Sequence, residues 1–141
     1  MTDYDLDVNA SLVHAHEAAR AAVLIAARNT GDQTMTLISC AILLPSGLRI
    51  FPETAEAVYP FDLAPGTMIT ERFPCQRLAE RLSGEGEHGS VRLDGVFFEE
   101  GTTGFGLAYS PLMPYPKAPT FGVIGIEHRC PPFTFDVARW L

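Results

Sequence analysis

Glycine and proline punctuate this chain at short, regular intervals and separate brief apolar runs from end to end. The 12 glycines and 11 prolines are spread along the sequence and form no single linker. Turn signals at that spacing suit short strands joined by tight connections, the pattern of an all-β sandwich or barrel. No internal repeat or low-complexity tract competes with this reading. The length of 141 residues fits one domain, and 47% hydrophobic against 19% charged residues is enough apolar material for a core.

Asp5 to His16 alternates weakly, with Leu6, Val8, Ala10 and Leu12 on one face, and is expected as an edge strand. Arg20–Arg28 is rich in alanine, which favours helix by propensity. It runs directly into the turn Arg28-Asn29-Thr30-Gly31-Asp32, however, so a strand is expected. Met35–Leu44 is the clearest strand. Strict alternation puts Ile38, Cys40, Ile42 and Leu44 on one face and Met35, Leu37, Ala41 and Leu43 on the other. Both faces are apolar, as in a central strand covered on two sides. Pro45-Ser46-Gly47 ends it, Leu48–Phe51 continues briefly, and residues 52–60 read as a loop. Pro65-Gly66 is placed as in a type II turn ahead of an alternating strand, Thr67 to Phe73. Cys75–Leu82 has apolar residues at Leu78 and Leu82 and is the one expected helix, stopped by the Ser83-Gly84 region. Ser90 to Phe98 alternates, and with Phe105, Leu107 and Tyr109 it predicts a hairpin. Phe121–Arg129 and Phe133–Val137 are the last strand candidates.

Three features combine: a strand running into Asn29-Thr30-Gly31, a later Leu63-Ala64-Pro65-Gly66 turn, and a late hairpin over Val91–Tyr109. Over residues 20–110 this order resembles the immunoglobulin-like β-sandwich modules common in bacterial proteins. Nine of the ten basic residues are arginine, a bias also suggestive of GC-rich bacterial coding. The resemblance implies an antiparallel immunoglobulin-like β-sandwich; the one short helix near 75–83 and the Pro-rich C-terminal extension from about residue 111 are additions to that pattern. The chain departs from antibody-type domains because its only tryptophan, Trp140, does not lie between paired cysteines. Such modules share a fold and not a function.

Chemistry-bearing residues are sparse. In a strand, His14 and His16 would share a face, as would His128 and Cys130. Were those two segments neighbours, the four side chains would form a His3Cys metal set. Cys75 stands at the helix start, where the helix dipole lowers a thiol pKa, with Glu71 and Glu80 offsetting part of the effect. Cys40 reads as a small core residue. Three cysteines without a CxxC pair make no disulfide framework. The acidic groups Asp3/Asp5/Asp7, Glu85/Glu87 and Glu99/Glu100 read as solvated turn charge. Gly101, Gly104 and Gly106 lack the helix and lysine of a phosphate cradle. No nucleophile motif or cofactor-binding motif occurs, so no cofactor is expected. Aromatic residues crowd the C-terminal half, and Tyr115, Phe121 and Trp140 are the candidates for partner contact.

The net charge of −7 argues against a nucleic-acid backbone-binding role. No apolar run is long enough to span a bilayer, and the N-terminus lacks the pattern of a secretory signal, so a cytoplasmic location is expected. The expected function is a non-catalytic binding or assembly module, self-associating through an edge strand or the C-terminal segment. The alternatives are a small metal- or ligand-binding protein using His14, His16, His128 and Cys130, and an enzyme whose site lies between subunits.

Overall fold

A computed structural model describes residues 5–83, 90–100 and 125–140. The elements run β1 (Leu6–Val13), β2 (Ala22–Asn29), β3 (Met35–Leu43), β4 (Arg49–Ile50), β5 (Phe61–Leu63), β6 (Met68–Pro74), α1 (Cys75–Leu82), β7 (Ser90–Glu100), β8 (Gly125–Arg129), β9 (Phe133–Asp136) and α2 (Val137–Trp140). Among the described residues, every strand pairing is antiparallel. One sheet has the order β1-β2-β6. The other runs β4-β3-β7-β8, with β5 also on β3 and β9 also on β7. The fold is all-β, with two short helices among the described residues. Among the described residues, no helix is long and apolar enough to cross a membrane. Residues 101–124, which include Tyr115, Phe121, the start of the Pro-rich extension and Phe105, Leu107 and Tyr109 of the expected hairpin, lie outside the described residues.

The core forms where the inward faces of the two sheets meet. Val8, Val23, Ile25 and Phe73 from the first sheet pack in one cluster with Leu37, Ile42, Leu93 and Phe97 from the second. Alternation along β2 buries Val23, Ile25 and Ala27, so its pairing with β1 and β6 overrides the helical propensity of its alanines. Ile25 reaches across to Gly95 of β7, where an added Cβ would stand 2.5 Å from its Cδ1. A side chain at this position of β7 would therefore force Ile25 to shift, and glycine lets the sheets approach without that.

Alternation in β3 is broken once. Leu37 pairs with Glu99 but Ser39 pairs with Phe98, so Ile38 is an extra residue opposite β7, a β-bulge. The bulge reverses the facing of what precedes it. Met35 and Leu37 join Cys40, Ile42 and Leu44 in the main core, and Ile38 packs with Ala41 and Leu43. The expected faces of Met35, Leu37 and Ile38 are corrected accordingly. The second cluster, with Val96 and Phe98, lies on the outer face of the larger sheet.

Polar ties fix the connections. Asn29, fully buried, donates from Nδ2 to the carbonyls of Gln33 (2.9 Å) and Leu63 (2.8 Å), and its Oδ1 accepts from the Gly31 amide at 2.9 Å. Gly66 has φ +79, and the Thr67 amide donates to the Ala64 carbonyl at 3.1 Å, closing the turn around Pro65-Gly66. Helix α1 buries Cys75, Leu78, Ala79 and Leu82 and packs on α2. Four residues long, α2 carries no helical period that its sequence could announce.

Candidate functional site

The inner face of β1 is incompletely covered. Leu6 and Val8 are buried, Ala10 is half-buried, and Leu12 is 44% exposed. Leu12 borders a groove of about 280 Å3 between β1, β9 and α2, lined by Ala10, Val23, Phe133, Phe135 and Trp140. Trp140 is buried and belongs to the main core, so its ring forms part of the groove wall and does not stand out as an anchor. The Arg139 guanidinium lies 4.5 Å from the Trp140 ring centroid and donates from Nη2 to the Ala15 carbonyl at 3.0 Å. That bond ties α2 to the turn that follows β1. Among the described residues, β1 is paired on one side only, with β2. Its other edge therefore presents backbone donors and acceptors beside an apolar groove.

The ends of β1 differ in side-chain chemistry. Asp5 and Asp7 are exposed at its start. His14 and His16 are exposed beyond its end, where His14 adopts φ 53 and its carbonyl accepts from the Glu17 amide. Both histidines thus lie in a turn and not on the strand as expected.

The four proposed metal ligands are not brought together. Among the described residues, no three His, Cys, Asp or Glu side chains form a group that could hold a metal ion. His128 faces inward on β8 opposite Phe97, and its Nε2 lies 2.9 Å from Glu99 Oε1. The Cys130 Sγ is buried, accepts from the Gly95 amide (3.2 Å) and donates to the Pro131 carbonyl (3.2 Å). Glu99, expected as turn charge, is an inward position of β7 and is only partly exposed. The 29-residue separation of this pair explains why sequence spacing does not reveal it.

Cys40, Cys75 and Cys130 are all free and buried. Burial raises each thiol pKa. Cys75 is pushed up to about 11 even though Arg139 and Arg72 pull it down. Desolvation outweighs the helix-start effect expected there.

Sequence reasoning also missed Glu71. Its side chain is fully buried on β6 opposite Ile25. Oε1 accepts from the Glu56 amide (2.8 Å), and Oε2 from the Ala57 amide (3.3 Å) and the Tyr59 hydroxyl (2.6 Å). The signal was its position between the inward Ile69 and Phe73. With every partner internal, this carboxylate fastens a loop.

No protein-family model matches the chain, and neither the curated proteins nor the solved structures searched contain a match.

Proposed function

We propose that this chain is a non-catalytic assembly module, an immunoglobulin-like β-sandwich that pairs with a second copy of itself along β1. The strand order supports the fold reading. β1-β2-β6 facing β3-β7-β8 follows the A-B-E and C-F-G order of immunoglobulin-type sandwiches. The observation that carries the functional reading is Leu12, an inward position on an edge strand left exposed above an apolar groove. Two antiparallel β1 strands related by a two-fold axis would continue the sheet and shield both Leu12 side chains. The same symmetry would set Asp5 and Asp7 of each copy alongside His14 and His16 of the other, hydrogen-bond acceptors beside ring N–H donors.

Sedimentation of the full chain over a concentration series tests this. The wild type is expected to dimerise, and Leu12→Lys to remain monomeric with unchanged circular dichroism. A wild type that stays monomeric into the high micromolar range overturns the proposal. So does a folded Leu12→Lys variant that dimerises as well as the wild type.

A further inference from the structure

The larger sheet carries a second, chemically different surface. Arg49 of β4, Arg92 of β7 and Arg129 of β8 line one cleft of about 500 Å3, together with Asp94, Glu127 and the turn at Gly47. Arg92 and Asp94 alternate along β7 with the core residues Val91 and Leu93, so the cleft opens on the outer face.

Both carboxylates are already committed. Arg129 donates from Nη1 to Asp94 Oδ2 (3.1 Å), and from Nη2 (2.8 Å) and Nε (3.2 Å) to Glu127 Oε1. Arg49 Nη2 lies 3.6 Å from Glu127 Oε2, and its guanidinium carbon is 5.0 Å from the Phe98 ring centroid. Two of the three arginines are thereby held in place. Arg92 has no hydrogen bond or ion pair among the described residues. Three guanidinium groups against two carboxylates leave one uncompensated positive charge here, on a chain of net charge −7.

We infer that this cleft binds a small oxyanion group, a carboxylate or a phosphate, with Arg92 as the receiving fork. Either anion presents paired oxygens that match the parallel N–H donors of a guanidinium. Arg129 and Arg49 are fixed by their carboxylates, so the walls of the cleft need no ordering on binding, and the net positive charge is the one that Arg92 carries. None of the residues lining the cleft lies on β1.

Calorimetric titration of the full chain at low salt, with succinate in one arm and inorganic phosphate in the other, tests the inference. Saturable binding in at least one arm is expected, weakened about tenfold or more by Arg92→Gln and little changed by Arg28→Gln. Arg28 is exposed on β2 of the other sheet and provides the same change of charge. The arm that binds identifies the anion as carboxylate or phosphate. No saturable binding in either arm overturns the inference, as does equal weakening by the two substitutions.

Discussion

The Tyr59 hydroxyl donates a 2.6 Å hydrogen bond to Oε2 of the fully buried Glu71. Together with the Glu56 and Ala57 amides, this bond fastens the loop between β4 and β5 to the inward face of β6. Replacing Glu71 by Leu strands two amides and a hydroxyl, at a cost of about 3 kcal/mol. Tyr59→Phe removes one donor and costs about 1 kcal/mol. Urea denaturation of both variants and of the double variant checks this. The double variant is expected to lose less than the sum, because the two residues share a bond.

Stability is expected to fall in alkaline solution. Burial, then the hydrogen bond to Glu71, raises the Tyr59 pKa well above its ordinary value of 10.0. Burial likewise raises Cys40 and Cys75 above their ordinary 9.0. A raised folded-state pKa means that the unfolded chain releases its protons first as pH rises. The associated stability is therefore complete below about pH 9 and is lost progressively above it. Urea midpoints measured across this range should decline, and Tyr59→Phe should flatten the decline above about pH 10. A midpoint that holds constant through this range contradicts the assignment.

The thiols should be inert in the native state. With its pKa at about 11, Cys75 is a thiolate in only about one molecule in a thousand at pH 8, and it is buried as well. A thiol-reactive chromogen is expected to label three cysteines in denaturant and none rapidly in buffer. Native labelling at the rate of a free cysteine would contradict the burial.

The close approach at Gly95 should behave as a packing constraint. Gly95→Ala is expected to destabilise by about 1–3 kcal/mol, since its Cβ would collide with Ile25. Ile25→Val removes the colliding Cδ1 and should recover part of that loss in the double variant. Thermal denaturation of the single and double variants reads this directly. Additive losses would show that the methyl group is not the obstacle.

Strand positions were largely legible because alternation and turn residues are local signals. The Asn29-Thr30-Gly31 and Pro65-Gly66 turns stand where their residues demand, and α1 spans Cys75–Leu82 as its Leu78/Leu82 spacing predicts. The facing of Met35 and Leu37 was not legible. A bulge is a mismatch between two strands, and one strand's sequence does not contain its partner's register. For the same reason, the spacing of His128 and Cys130 points to a metal set, whereas the partner of His128 is Glu99. Glu71 stood in plain sight as a carboxylate on an apolar face, but the amides that receive it belong to a loop with no pattern of its own.

The sequence by itself determined that this chain is built of short antiparallel strands, because apolar alternation and turn chemistry act over a few residues. Only the tertiary structure decided which faces are buried and which charges meet. Strand register and sheet order bring together groups such as Arg92 and Arg129, or Leu12 and Trp140, that lie far apart in the chain. Their proximity arises from pairing between strands, and no spacing within one strand encodes it.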